Sequence, residues 1–462
     1  MLRNTLRIFA VLTLIVLAIV TPLVLSGYSE LKKGAASGSY AEAAPHYYNA
    51  ARRIPWRPDL YELSGHAYYH AGDYAQSDAA YQKAFERGVL SPQGWMAWGD
   101  VHYLNNDPGR AVEIWEEALQ QENSSDELQP RLAEIYQSNG EISKAAEYLQ
   151  RYVPTHPEDA SAHYRLGLLL TLSDPVAASA ELASAAQLDP DFDPAAQTVR
   201  MALDESARND SASARLVTIG RGLGLVDEWQ LARLAFESAV NADEKNAEAW
   251  AWLGEANQQT GVPEAGSAEL ERALRLDTNS AIVRGLRGLY FQRTGNFREA
   301  LTEFQMAVKL EPDNPIWFVS MGESHAKLGD LIQALESYQM ATTLAPKDAS
   351  YWRLLAIFSA QNNVNISEVG LPAAQRAVLL GGADSASLDL VGWLLTLASR
   401  YDEAKRMLAR SLELDPQNAS AHYHLGTLYL QTGQRAPAYD HLIQARDLGS
   451  QEAGAILNQY FP

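Results

Sequence analysis

The chain repeats small residues at a step of 34 positions over most of its 462 residues. The first series is Gly65, Gly99, Ala133, Gly167, Gly220, Gly254, Gly288, Gly322, Ala356, Gly392 and Gly426, with a gap of 53 after Gly167 and a slip of two before Gly392. The second series, twelve residues later, is Ser77, Ala111, Ala145, Ser179, Ala232, Gly266, Ala300, Ala334, Ala404 and Ala438. Two helices cross closely only where side chains are small. The step therefore predicts a series of paired helices.

Large residues and turn residues keep the same step. Four residues after the second series lie Tyr81, Trp115, Leu149, Phe236, Leu270, Phe304, Tyr338, Leu408 and Leu442, which share a helix face with it. Glycines that suit a turn between the two helices are Gly72, Gly140, Gly261, Gly295, Gly329 and Gly433, and prolines that end the unit are Pro157, Pro312, Pro346 and Pro416. Each unit is predicted to be helix, turn, helix, turn.

This pattern resembles the tetratricopeptide repeat, whose 34-residue unit carries small and aromatic residues at these offsets. Residues 281–314 match it through Gly288, Phe291, Gly295, Phe297, Ala300, Phe304, Ala307 and Pro312. Residues 419–452 match it through Leu425, Gly426, Tyr429, Gly433, Ala438, Leu442 and Ala445. The resemblance implies an all-α fold, a right-handed α-solenoid of stacked helix-turn-helix repeats, here preceded by one transmembrane helix.

About eleven units cover residues 58–452, and the breaks in the step divide the chain. We predict a short N-terminal segment (1–7), a membrane anchor (8–29), a first stack (38–192), an extra helix and joint (193–212), a second stack (213–450) and a C-terminal cap (451–462). A half unit near Gly38 would take Gly27 to Ala36 as its first helix, so the anchor is expected to run almost directly into the repeats. The polar stretch Asn362 to Gly370 is expected to distort its unit.

The predicted anchor rests on an apolar run from Ile8 to Leu25, with no charged residue between Arg7 and Glu30. About 20 apolar residues are enough to cross the hydrocarbon core of a bilayer. The alternative is a signal peptide cut before Gly27, although its apolar region would be shorter. Because anchors this close to the start usually keep the short end in the cytoplasm, we expect a single-pass membrane protein with an extracytoplasmic repeat region.

Charge and composition exclude several classes of function. The formal net charge is −20, which opposes binding to nucleic acid or to anionic lipid in general. The chain has no cysteine, so disulfides, thiolate metal sites and cysteine nucleophiles are excluded. An acidic protein of this kind is expected to bind neutral, polar or basic partners.

The resemblance also implies which residues meet a partner, because the first helix of each repeat lines a concave groove. The groove positions in the first stack include Asp59, Glu62, His66, Tyr69, Asp100, Tyr103, Glu127 and Glu134. Carboxylates with interleaved aromatic rings favour a peptide that carries Lys or Arg. The other interpretation is that the acids only keep the surface soluble. The second stack, with residues such as Glu255, Glu323 and Trp393, shows no single preference.

No catalytic, cofactor or metal site is predicted. His66 and His70 share a helix face but have no third ligand in view, and the run Asp189, Asp191, Asp193 lacks the Gly and Glu of a calcium loop. Phosphate-loop, zinc-helix and nucleophile-elbow motifs are absent from the sequence. We expect a non-enzymatic membrane-anchored scaffold or adaptor that binds a protein or peptide. The alternatives are a groove receptor for a small ligand or glycan, and an accessory subunit of an envelope-associated transferase.

Overall fold

The computed structural model describes residues 2–88, 90–121 and 125–461. Within these ranges side chains are described from Ala18 onward, except for Ile19. All regular structure in the described residues is helical, and none of it is β-strand. The predicted all-α repeat solenoid is therefore confirmed.

The chain divides into two compact units, Met1–Glu205 and Ser206–Pro462. The helices of the first unit are α1 (Leu2–Ala36), α2 (Tyr40–Arg53), α3 (Asp59–His70), α4 (Tyr74–Glu86), α5 (Pro92–Leu104), α6 (Pro108–Leu119), α7 (Leu128–Ser138), α8 (Ile142–Tyr152), α9 (Ala160–Leu170), α10 (Pro175–Leu188) and α11 (Asp193–Ser206), whose end is the boundary. Helices α1 to α10 pair into five hairpins. Helix α11 follows them and is not part of a hairpin.

The second unit holds seven hairpins and a final single helix. Its helices are α12 (Ala212–Leu225), α13 (Trp229–Ala242), α14 (Ala247–Gln259), α15 (Pro263–Leu276), α16 (Ala281–Arg293), α17 (Phe297–Leu310), α18 (Pro315–Leu328), α19 (Leu331–Leu344), α20 (Ala349–Asn362), α21 (Leu371–Gly381), α22 (Ser385–Leu397), α23 (Tyr401–Leu414), α24 (Ala419–Gln431), α25 (Arg435–Asp447) and α26 (Gln451–Tyr460). A π-helical turn, Ile366–Gly370, leads into α21. It follows Asn363 and Asn365, which have left-handed backbone angles, within the stretch expected to be distorted.

Helix α1 is continuous from Leu2 to Ala36, and its last part forms a hairpin with α2. A Cβ placed on Gly27 would lie 2.6 Å from the Ile54 side chain, and one placed on Gly34 would lie 2.7 Å from the Tyr47 ring. Half of the predicted anchor, residues 8–17 and Ile19, lies outside the residues whose side chains are described. Among the described residues, no helix is both long enough and apolar enough to span a membrane.

The small residues lie where the two helices of a hairpin touch. In the α14–α15 hairpin, a Cβ on Gly254 would lie 2.8 Å from the Gly266 carbonyl oxygen, and a Cβ on Gly266 would lie 2.6 Å from the Gly254 carbonyl oxygen. In the α16–α17 hairpin the Phe304 ring, which is fully buried, occupies the space that a side chain on Gly288 would need. The 34-residue step therefore reports the closest approach of paired backbones.

A second repeated contact fixes the turn that enters five of the repeats. The side chain at the fourth position of the first helix donates an N–H to the carbonyl oxygen six residues earlier. The five instances are His163 to Pro157 (3.3 Å), Trp250 to Glu244 (2.9 Å), Arg284 to Thr278 (3.2 Å), Trp352 to Pro346 (3.1 Å) and His422 to Pro416 (3.1 Å). Three residue types serve because each presents an N–H at a similar reach.

Alanine at Gly254 is expected to lower the free energy of unfolding by about 1–3 kcal/mol, because the new methyl group would collide with the Gly266 carbonyl. The control is Gly454→Ala in α26, where the nearest atom to a new Cβ lies 3.9 Å away. There the higher helix propensity of alanine should add about 0.5–1 kcal/mol. Urea unfolding followed by circular dichroism measures both changes. A neutral Gly254→Ala would contradict this account of the small residues.

One of these fourth-position histidines contacts a second histidine in the last hairpin. Because His422 Nε2 donates to Pro416, its Nδ1 is left as an acceptor in the neutral ring, and it lies 2.9 Å from His441 Nδ1. Burial lowers the pKa of His441, and His422 lowers it further, whereas Asp440 acts in the opposite direction. The Tyr429 ring stacks on His441, and the Lys405 ammonium lies over that tyrosine ring.

Acidification should therefore weaken this hairpin. The depressed pKa means that the unfolded chain binds a proton at His441 more readily than the folded chain, so stability is lost as pH falls below about 6.5. Thermal unfolding between pH 7.5 and pH 5.5, the range in which histidine titrates, should show a smaller loss for His441→Gln than for the unchanged chain. The exposed His70→Gln serves as the control, and an equal effect of both variants would contradict the assignment.

Candidate partner-binding surface

The first helices of successive repeats form the inner layer of each unit. Helix α3 contacts α5 in the first unit, and in the second unit α12 contacts α14, α14 contacts α16, α20 contacts α22, and α22 contacts α24. Second helices of neighbouring repeats do not approach one another to the same extent in the described residues. A stack that is crowded along one row of helices and open along the other curves toward the crowded row. The first helices therefore present the concave face.

Glu62 of α3 is one of the predicted groove residues, and it is held by the next repeat. It accepts a hydrogen bond from the Ser91 backbone N–H at 2.9 Å and another from the Ser91 hydroxyl. His66 Nε2 lies 3.5 Å from the Glu62 carboxylate, and His66 Nδ1 lies 2.9 Å from the Tyr81 hydroxyl. Burial opposes ionisation of Glu62, but the hydrogen bonds from His66 and Ser91 outweigh burial and lower its pKa. This carboxylate joins two repeats.

Two other predicted carboxylates on the first helices are also paired with cations. Asp100 of α5 pairs with Arg131 of α7, and Glu134 of α7 lies 3.9 Å from Arg165 of α9. Burial raises the pKa of Asp100 despite the opposing effect of Arg131.

At the start of α3, Asp59 binds Arg57 through two nitrogens. Of the predicted acids, Glu127 is exposed at the start of α7 and has no ion pair among the described residues. The groove is less negative than the sequence alone suggests.

These cation partners were not predicted from the sequence, although a signal for them exists. Asp100 and Arg131 are 31 residues apart, as are Glu134 and Arg165. If the first-series small residue is counted as position eight of each unit, position nine of one unit faces position six of the next. The same spacing joins Gln292 to Glu323 by a hydrogen bond of 3.1 Å in the second unit. A search for complementary side chains at this spacing would have found the pairs.

Aromatic rings occupy the groove between the acids. Tyr69 contacts the His70 ring with centroids 5.1 Å apart, and Tyr40 of α2 contacts the same ring at 4.8 Å. Tyr103 is 45% exposed and contacts Trp115 at 6.3 Å. Beside Tyr40 a cavity of about 430 Å³ opens between α1, α2 and α3. These rings offer apolar contact area that is not covered within the chain.

The second unit has a groove cavity of different character. It measures about 570 Å³ and lies along α16, α18 and α20. Its lining includes Gln292, Arg293, Phe297, Glu323, Lys327, Tyr338, Leu354, Ile357 and Gln361. Arg293 is held by the buried Glu255, and Gln292 donates to Glu323. Burial raises the pKa of Glu323. The mixture of acid, base, amide and aliphatic groups agrees with the lack of a single preference in this stack.

A cluster of Ser420, Asp389 and His424 was not predicted, and its geometry differs from a catalytic triad. The Ser420 hydroxyl and His424 Nδ1 both face the buried Asp389 carboxylate, at 2.6 Å and 2.7 Å. Serine is therefore not placed at Nε2, where a histidine oriented by aspartate acts as base. The Trp393 ring stacks on His424 at 4.7 Å. No group of three or more potential metal-ligating side chains was found in the described part of the chain.

Comparisons with known proteins bear on the repeats and on the fold. Two family profiles, each described as tetratricopeptide repeat, match residues 102–167 and 395–457 in one case and residues 63–127 and 286–361 in the other. No curated protein matches the chain significantly.

Among solved structures, the chain is similar to one in the APC/C hetero-tetramer Cut9-Hcn1, with 16% identity, 98% of both chains covered and a TM-score of 0.45. It is also similar to yeast Tom70, with 15% identity, 96% of this chain and 95% of that chain covered, and a TM-score of 0.39. A third is Pseudomonas aeruginosa pilF, with 20% identity, 46% of this chain and 96% of that chain covered, and a TM-score of 0.39.

Removing the Glu62 carboxylate should destabilise the first unit. Glu62→Ala leaves the Ser91 backbone N–H without its acceptor, and an unsatisfied partly buried donor costs about 1–3 kcal/mol. Glu134→Ala is the control, because its ion pair is long and exposed and such pairs contribute about 0–1 kcal/mol. Urea unfolding of the two variants compares them directly. If the two losses were equal, Glu62 would not join the repeats as described.

Proposed function

We propose that this chain, a protein of tetratricopeptide repeats, is a scaffold that binds a protein or peptide along its concave face. Repeats of this type generally bind protein or peptide partners and typically have no catalytic activity. The observation that carries the proposal is the set of incompletely buried rings on the first helices of the first unit, above all Tyr69 and Tyr103. Rings of this kind supply large contact area at low conformational-entropy cost.

The favoured partner carries Lys or Arg. Glu127 offers a carboxylate without an ion pair in the described residues, and Asp59 is exposed although it is bound to Arg57. A basic side chain of the partner can stack on a tyrosine and approach these acids. Asp100 is paired with Arg131, so a cation that bound there would have to displace that arginine.

The chain is further proposed to be held at a membrane by residues 8–29, with the repeats on the extracytoplasmic side. The apolar run Ile8 to Leu25 supports the first part, together with the exposure of Leu23 and Leu25 in α1. The extracytoplasmic placement stays a prediction. An anchor would concentrate partners of the groove at one membrane surface, as a scaffold requires.

The test is photocrosslinking from membranes with the unchanged chain, a Tyr69→Ala/Tyr103→Ala variant and a control. The control is Val176→Ala, because Val176 is 83% exposed on a second helix. We expect a reproducible protein partner that the control retains and the tyrosine variant loses. Affinity for that partner should fall about tenfold or more, since buried aromatic contacts dominate such interfaces. If neither variant lost the crosslinked partner, the binding site would lie outside the groove.

A second candidate is a receptor for a glycan or small ligand, because tyrosine rings with open faces also stack on sugars. Thermal-shift measurements with oligosaccharides and with basic peptides separate the two candidates. Stabilisation by oligosaccharides alone would replace the peptide-binding proposal. The role of accessory subunit to an envelope-associated transferase would instead appear as a transferase among the crosslinked partners.

A further inference from the structure

The end of α2 lies beside the point where α1 leaves the repeats. Helices α1 and α2 are antiparallel, since Gly27 faces Ile54 whereas Gly34 faces Tyr47. Arg53 Nη1 donates to the Ser26 hydroxyl at 3.0 Å and lies 3.6 Å from Glu30. Gly27 is the first buried residue of α1 among those whose side chains are described. Residues before Ser26 therefore extend beyond the part of α1 that packs against α2.

The part of α1 that extends past α2 exposes apolar side chains. Leu25 is 65% exposed and Leu23 is 50% exposed, and Val20 is exposed as well. The apolar run from Ile8 to Leu25 has a helical length of about 27 Å, close to the ~30 Å thickness of a bilayer core. If that run fills the core, Ser26 and the end of α2 lie at the level of the lipid headgroups.

The side chains at that level are those that suit a headgroup region. Trp56 is 57% exposed in the turn after α2, and Tyr28 is 45% exposed on α1. Arg52 is exposed with no ion pair among the described residues, and Arg53 and Arg57 lie on the same end of the hairpin. Tryptophan and tyrosine concentrate at membrane interfaces, and arginine there binds phosphate. We call Tyr28, Arg52, Arg53, Trp56 and Arg57 the collar.

The next repeat extends this surface. Ala84 near the end of α4 packs in the same core cluster as Ile54, so the turn after α4 lies on the same edge as the collar. The last turn of α4 exposes Phe85, and Arg87 follows the helix, with its guanidinium over the Tyr61 ring at 5.8 Å.

The end of the first hairpin that carries the collar differs in charge from the rest of the chain. Residues 26–59 contain five Lys or Arg and three Asp or Glu side chains, including the Asp59 that binds Arg57, although the whole chain has a net charge of −20. The corresponding turns of later repeats are acidic, with Glu158 and Asp159 in one and Asp189, Asp191 and Asp193 in another. The overall charge therefore hides a local basic surface next to the apolar helix.

We infer that the collar binds the phosphate headgroups of an anionic lipid bilayer and so sets how deep the chain sits in the membrane. This inference rests on the proposed membrane anchor, and it does not depend on which side of the membrane the repeats occupy. Arg52 and Arg53 supply charge, and Trp56 and Tyr28 supply amphipathic rings. Helix α1, which is helical from Leu2 to Ala36 with Pro22 inside it, joins the inserted segment to the first hairpin.

The absence of cysteine allows a site-specific test with the full chain. Pro55→Cys places a nitroxide beside Trp56, and Gly38→Cys places one at the opposite end of the same hairpin. The chain is reconstituted into vesicles of phosphatidylcholine alone or mixed with phosphatidylglycerol, and the accessibility of each label to a water-soluble nickel chelate is measured. We expect the label at 55 to be protected most in the anionic vesicles and the label at 38 to stay accessible in both.

Charge reversal should remove that protection. Arg52→Glu is the main variant because Arg52 has no partner to lose within the described residues, and Trp56→Ala removes the ring without changing charge. Arg110→Glu, exposed at the start of α6 on the opposite edge, is the charge-matched control. It also loses the exposed ion pair with Glu113, and it should keep the protection.

Two results would overturn the inference in different ways. Failure of the unchanged chain to float with either vesicle would remove the proposed anchor, and the collar with it. Flotation with equal accessibility of position 55 in both vesicles would remove the collar alone. Self-association in detergent without lipid-dependent protection would assign the exposed face of α1 to a second copy of the chain, which also contradicts the inference.

Discussion

The structure depends on the close approach of the two helices in each hairpin. At Gly254 and Gly266 the two backbones lie so close together that a methyl group on either glycine would collide with the other helix. Because the backbones meet there, large side chains such as Phe304 can fill the volume around the crossing and become fully buried. A hairpin built this way still has open faces, which the next hairpin covers. The concave row of first helices is a consequence of this packing, and so is the surface proposed to bind a partner.

Much of the fold could be predicted from the sequence because the packing constraint acts on single positions. A position where a side chain would collide with a ring must hold a small residue in every repeat, so the constraint appears in the sequence as small residues 34 positions apart. Some of the turns could be predicted for the same reason, because Gly261 and the equivalent glycines have positive φ. Asn106, Asp227 and Ser399 also have positive φ, but these residue types occur in many other settings and gave no signal.

The groove was harder to predict than the fold. The register of the repeat placed Glu62, Asp100 and Glu134 on the first helices, but it did not show what each carboxylate contacts. Their partners come from the following repeat, and the contact depends on how the two first helices pack. The cluster of Asp389 and His424 illustrates the same difficulty, because these residues are 35 positions apart and only the packing of α22 against α24 joins them. A count of acids overestimates the free negative charge of such a surface.

The hydrogen bond at the fourth position of the first helix has a consequence for how these repeats diverge. Tryptophan, histidine and arginine all satisfy the same carbonyl, so the identity of that residue can change while the junction between repeats is preserved. The exchange is not chemically neutral, however. Tryptophan cannot gain a proton in the physiological range, whereas histidine can. A protein that replaces one by the other keeps its architecture and acquires a junction that responds to acidity, one repeat at a time.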